Sequence, residues 1–166
     1  MVSIEEFVAL SGQMLGHSDW LLIDQARIDA FADVTEDHQF IHVNPVRARA
    51  ETPYGGTIAH GFLTLSLLSH LGHQVFPEIG DKEMTINYGL NKVRFLNPVP
   101  VGARIRASVR LLEAVEKQPG RYMCRYQSTV EIEGIETPAL VAEQVVLHVM
   151  KEAAEKTAKA KGAAGD

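Results

Sequence analysis

The sequence predicts an α+β fold in which one long antiparallel sheet wraps a single buried helix, and two stretches of the 166-residue chain carry that prediction. The first is residues 55–74, GGTIAHGFLTLSLLSHLGHQ, a glycine-marked turn running into a helical pattern. Ile58, Phe62, Leu63, Leu65, Leu67, Leu68 and Leu71 go almost all the way round that helix, and a helix apolar on nearly every face is a buried one. The second is residues 84–150, which read as several long strands separated by turn residues. One sheet curled around one helix satisfies both halves. His60-Gly61 at the start of the helix and Ser66 within it are the polar features that burial alone does not demand.

The elements follow in order. Ser3 and Glu6 stand at capping-box spacing before Phe7 and Leu10, which predicts a short helix over 3–10, broken by Gly12 and Gly16. Residues 18–23, SDWLLI, read as a strand. Asp24 is a good N-cap for a helix over 25–34 with Ile28, Phe31 and Ala32 facing inward. The polar stretch 35–39 reads as loop, and Asn44-Pro45 pairs an N-cap with proline at the first helical position, predicting a short helix over 45–50. Asp37 and His42 therefore fall in a tight connection between two helices, with Phe40 and Ile41 expected to point into the core. Strands follow over 84–96, with a bulge expected at Gly89, then over 103–115, 121–132 and 138–150. Turns at 97–102, at Gln118-Pro119-Gly120 and at Gly134 separate them. The clean alternation puts Ile105, Ala107, Val109 and Leu111 on one face of the second long strand and Arg104, Arg106, Ser108 and Arg110 on the other.

A chain of this length is one domain by size, with its own core over 1–150 and a tail, 151–166, that has no apolar face and reads as frayed helix or disorder. A single cysteine, Cys124, leaves no internal disulfide, and the acidic start MVSIEEFVAL has no secretory pattern, so the expected location is cytoplasmic. The longest apolar runs fall short of the roughly 18 residues that a membrane span needs. A formal charge of −5 argues against a general nucleic-acid binder, because the phosphate term needs a basic surface.

Asp37 and His42 offer a carboxylate and an imidazole five residues apart. Taken alone, a loop cap for the first and a partly buried, hydrogen-bonded ring for the second account for the pair. The helix beginning near His60-Gly61 adds free backbone N–H groups suited to a developing oxyanion, and Gly61, lacking a side chain, would let a substrate carbonyl approach.

The run FADVTEDHQFIHVNP, followed by GGTIAHGFLTLSLLS, resembles the signature of the MaoC-like, (R)-specific enoyl-CoA hydratases. That pattern is an Asp, four residues, a His, a Pro-containing segment, then a His-Gly opening the helix of a hot-dog fold, with a Ser six residues after that His. Asp37, His42, His60-Gly61 and Ser66 match it. Gln39 and Phe40 stand where the family loop usually has Asn-Pro; with YGLNKVRFLNPVPVG at 88–102, this resembles the nodulation-protein-N-like branch. The resemblance covers about residues 18–150.

It implies that Asp37 and His42 jointly hold a water molecule and act as acid and base, adding water reversibly to a trans-2-enoyl-CoA to give an (R)-3-hydroxyacyl-CoA, with no cofactor. Which group plays which role is open. The Gly61 N–H would polarise the thioester carbonyl, and His60 would orient the start of the helix. Ser66 would support the loop through Asp37 or His42, or instead bond the helix carbonyl four residues back. Lys92 and Arg94, and with them Arg104, Arg106 and Arg110, are candidates for the CoA phosphates, against a simple solvated face. His38 with His42, and His70 with His73, have spacings seen in metal sites, but no cysteine or carboxylate set accompanies them, so no metal is expected. A single sheet leaves an edge, so a homodimer that continues the sheet is expected, with the acyl-CoA pocket near its interface. Two other readings stay open. An acyl-CoA thioesterase of the same fold would place a carboxylate on or beside the helix, and residues 55–76 hold none. A catalytically silent acyl-CoA-binding protein would keep the pocket alone.

Overall fold

A computed structural model describes residues 1–151; the tail expected beyond Lys151 lies outside the described residues. Helix α1 (Ile4–Ala9) begins at the predicted capping box: the Glu6 amide donates to the Ser3 hydroxyl at 3.1 Å, and the Ser3 amide to the Glu6 carboxylate at 2.7 Å. Strands β1 (Met14–His17) and β2 (Leu21–Leu22) follow; of the strand expected over 18–23 only Leu21–Leu22 forms, and β1 lies before it. The interruption has a cause in distant partners. The Ser18 hydroxyl accepts from the Ala107 amide at 2.9 Å, and the Asp19 amide turns away to the Gln74 side chain.

Helix α2 (Gln25–Thr35) starts under the Asp24 cap, whose carboxylate takes the Arg27 amide at 2.9 Å, and stops at Glu36, which turns left-handed at φ 59°. Helices α3 (Phe40–Val43) and α4 (Pro45–Glu51) come next, α4 capped by Asn44. Residues 57–60 are extended, and the long helix expected from 58 starts instead at Gly61, as α5 (Gly61–Ser66) and α6 (Leu68–His73). Leu67 between them keeps helical angles, φ −66° and ψ −14°, so the apolar pattern does not register the break.

Four long strands complete the chain: β3 (Lys82–Phe95), β4 (Arg104–Gln118), β5 (Arg121–Ile132) and β6 (Ile135–Met150). All pairing is antiparallel in the order β1-β4-β5-β6-β3, with β2 also on β4. The predicted alternation holds: Ile105, Ala107, Val109 and Leu111 on β4, and Cys124, Tyr126, Val130 and Ile132 on β5, are buried against Leu63, Leu68 and Leu71 of the central helices. The opposite face carries cross-strand ion pairs, Arg106 to Glu131 at 2.7 Å and Arg125 to both Glu113 and Glu143. The β3–β6 register slips between Asn87 and Gly89, where the glycine predicted a bulge.

This is the hot-dog arrangement, a long sheet around a central helix, with one difference from the expected full wrapping. The sheet covers only one face of that helix, so Phe62 is 68% exposed and Ser66 and Ser69 face outward. Strand β3 is the far edge and is solvent-facing along most of its length. No helix among the described residues is long and apolar enough to cross a membrane.

Candidate active site

The loop between α2 and α3 is drawn tight by the left-handed turn at Glu36, after which the Asp37 amide donates back to the Ala32 carbonyl at 3.1 Å. The Asp37 side chain is left exposed, while His42 on the single turn of α3 is buried, 6% exposed. Phe40 and Ile41 were expected to take the inward positions. They are only half-buried, because the short helix turns His42 inward instead, and Phe40 carries the Arg47 guanidinium 4.0 Å over its ring.

The His42 ring is fixed. Its Nδ1–H donates to the Ile58 carbonyl at 2.7 Å, which leaves Nε2 as the free lone pair of the neutral ring. Burial pushes its pKa below the ordinary histidine value, with the Ile58 carbonyl pulling the other way. The imidazole is therefore an unprotonated acceptor at neutral pH.

His60, buried just before α5, stacks on His42 with ring centres 3.8 Å apart at 26°, and packs against Phe31 at 5.1 Å. Its Nε2–H donates to the Asp37 backbone carbonyl at 2.9 Å, so it ties the Asp37 loop to the start of the helix. Its Nδ1 is buried with no partner. A ligand atom of each of Asp37, His42 and His60 lies within 4.8 Å of the other two. The stacking is wrong for a shared ion. Ring planes this close and this nearly parallel meet only about 8 Å from the ring centres, beyond the roughly 2 Å reach of an imidazole lone pair to a metal.

Gln25, at the first position of α2, was not singled out from the sequence. Its amide donates to the His42 carbonyl at 2.7 Å and its carbonyl accepts from Thr57, so one side chain ties α2, α3 and the 57–60 segment together. Its one local bond, to the Asp29 carboxylate at 2.7 Å, does not mark this role, since the partners it ties together lie 17 and 32 residues away.

A cleft of about 280 Å³ opens beside these groups, lined by His42, Gly61, Thr64, Phe95, Asn97 and Val99 among others. Gly61 is exposed on its wall, and a Cβ at this position would come within 3.1 Å of the Phe95 ring. As the first residue of α5, it carries a backbone N–H that the helix itself does not use.

The other residues singled out from the sequence are engaged elsewhere or turned away. The Ser66 hydroxyl donates to the Phe62 carbonyl at 2.7 Å, the local alternative, and not to Asp37 or His42. Lys92 and Arg94 lie opposite Glu143 and Val141 on the face of β3 turned away from the helix, because the strand alternation sets Val93 and Phe95 inward. Arg104 and Arg106 are engaged in ion pairs with Glu133 and Glu131, and Arg110 bonds the Gly12 carbonyl. His38 is exposed and bonded to Asp33, away from the His42 ring.

Comparison with known proteins agrees with this geometry. Residues 6–134 match the MaoC-like domain family. Over 146 residues the chain is 47% identical to nodulation protein N of Rhizobium leguminosarum bv. viciae, covering 88% of this chain and 91% of that protein. Over 147 residues it is 49% identical to 3-hydroxyacyl-thioester dehydratase Z of Mycobacterium tuberculosis, covering 89% and 96%. Among solved structures, the (R)-hydratase from A. caviae involved in PHA biosynthesis superposes with a TM-score of 0.67 at 28% identity, over 82% of this chain and 94% of that one.

Proposed function

This chain belongs to the MaoC-like domain family, whose members include dehydratases and hydratases, and on that footing we propose that it is an (R)-specific enoyl-CoA hydratase. The reaction is the reversible addition of water across the 2,3 double bond of a trans-2-enoyl-CoA. The observation that carries the reading is the His42 tautomer: Nδ1–H is held by the Ile58 carbonyl, which leaves Nε2 free, and a ring nitrogen of His42 lies within 4.8 Å of the Asp37 carboxylate at the edge of an apolar cleft.

Water is a weak nucleophile at neutral pH, so the two groups hold it between them, Nε2 accepting one hydrogen and the carboxylate the other. As the water oxygen bonds to C3, the proton passes to His42 Nε2, and the π electrons of the double bond move to C2 and the thioester oxygen. The Gly61 N–H stabilises that oxygen, a contribution of about 3 kcal/mol in comparable oxyanion sites. The same proton then returns to C2. Oxygen and hydrogen thus arrive from one water on one face, and no cofactor takes part. Gln25 and His60 position the pair through the backbone carbonyls of His42 and Asp37.

The exposed β3 edge supports a homodimer that continues the sheet. Met84, Ile86, Tyr88 and Leu90 are large apolar side chains left uncovered there, Tyr88 at 66%. A sedimentation measurement giving twice the 18.3 kDa chain mass is expected, and a monomer at micromolar concentration would exclude it. A cytoplasmic location fits the one thiol, Cys124, which is buried and pushed up to about 12.

Hydration of crotonyl-CoA in heavy water tests the reaction. The expected product is (R)-3-hydroxybutyryl-CoA with deuterium and oxygen added to the same face. Addition to opposite faces, or free CoA released without hydration, would overturn the proposal, the latter in favour of thioester hydrolysis.

A further inference from the structure

Two separate cavities lie between the central helices and the inner face of β3, the cleft at His42 and a second one further along the strand. Phe95 lines the cleft, and further back along the same face of β3, Leu90 and Asn87 line a second cavity of about 310 Å³. The helices follow the same order: Gly61 and Thr64 face the first space, Leu65 and Ser69 the second. Eight residues of helical rise separate Gly61 from Ser69, about 12 Å, which an extended acyl chain covers in about ten carbons. The Gly89 bulge keeps the cavity wall open, since a Cβ there would meet nothing within 4 Å.

The floor of this second cavity is not the apolar surface that a saturated chain wants. Gln144 projects from β6 into it and is 9% exposed. Its carbonyl oxygen accepts from the fully buried Ser128 hydroxyl at 2.7 Å, which fixes the amide and leaves its NH2 as the group facing the cavity. Asn87 and Ser69, joined at 3.4 Å, stand on the same rim. A methylene chain pushed against Gln144 would strip water from those donors and return nothing, and an unpaired buried donor is expensive.

We infer that the far end of the acyl site, where Gln144 presents its amide donors at the Gly89 bulge, selects acyl thioesters that carry a hydrogen-bond acceptor oxygen about ten carbons from the thioester. The inference rests on the hydratase reading above and names its substrate class. A chain ending short of the cavity leaves the amide hydrated and is accepted. A long saturated chain is disfavoured, and a ketone at the right depth restores the bond.

The test compares kcat/KM for crotonyl-CoA, trans-2-dodecenoyl-CoA and the same long chain bearing a ketone about ten carbons from the thioester. Wild-type protein is expected to favour the ketone over the plain chain by about tenfold, the scale of one unpaired buried donor. In the double variant Ser128→Ala, Gln144→Met, which removes both hydrogen-bonding partners together, that ratio is expected to fall to about one or reverse. Equal use of the two long chains by the wild type, or preference for the saturated one, overturns the inference, whether or not the variant folds. Failure on crotonyl-CoA as well counts instead against the hydratase reading; the dissociation constants of the two long thioesters then decide the selectivity by the same ratio.

Discussion

His148 gives the chain a built-in acid sensitivity that can be calculated before it is measured. The residue is 1% exposed, in the core beneath α1, with its Nε2 2.8 Å from the Tyr126 hydroxyl, its Nδ1 3.0 Å from the Thr85 hydroxyl and the centre of the Phe7 ring at 5.6 Å. Burial, with a smaller push from the Lys82 charge, lowers its pKa from 6.5 to about 4. The folded protein therefore keeps the ring neutral at pH values where the unfolded chain has already taken up a proton. Stability from this site is fully present above pH 6.5 and is lost as the pH falls towards 4, amounting to about 3 kcal/mol over that window. Urea unfolding of the wild type and of His148→Gln, at one protein concentration across this range, isolates the effect because other acid-sensitive groups are common to both. The advantage of the wild type is expected to shrink by about 3 kcal/mol between neutral pH and pH 4. Two stability curves that stay parallel across the range would refute the reasoning.

Other substitutions probe the site and its supports. Gly61→Ala adds a methyl 3.1 Å from the half-exposed Phe95 ring, which can swing aside; the protein should fold while kcat/KM falls about a hundredfold from the misplaced thioester. Gly72→Ala puts a Cβ 2.9 Å from the half-buried Phe76 ring, which lies tilted against Tyr126 at 4.6 Å and is crowded on that side. Thermal unfolding should show a loss of about 2 kcal/mol, largely recovered by adding Phe76→Leu. Gln25→Leu leaves the His42 carbonyl and the Thr57 hydroxyl without their partner, so kcat is expected to drop at least about tenfold with the circular dichroism spectrum unchanged.

Much of this architecture is written locally in the chain. The capping box at Ser3, the Asp24 and Asn44 caps and the alternation on β4 and β5 each depend on neighbours within a few residues, and each appears where its pattern puts it. What the pattern misses is decided at a distance. The apolar face of the helix near 58–74 says that burial is wanted but not by what, and within one chain Phe62 finds no cover. The strand expected over 18–23 is cut to Leu21–Leu22 because the Ser18 hydroxyl takes over a ladder position on β4, a partner 89 residues away. Asp37 and His42 stand out by type and spacing, whereas the bond that sets the His42 tautomer goes to a backbone carbonyl 16 residues on that no side chain announces. Ser66 shows the reverse case: a carbonyl one turn back is always in reach of a helical serine, and here that local bond wins over the distant one.

The account stands on Asp37 and His42 sharing one water, and the direct measurement is the initial rate at which enoyl-thioester absorbance is lost from crotonyl-CoA for the wild type, Asp37→Asn and His42→Ala side by side. Turnover by the wild type with both variants slower by about a hundredfold or more is the predicted result. Variants that match the wild type, or a folded wild type that leaves the enoyl thioester untouched, would contradict it.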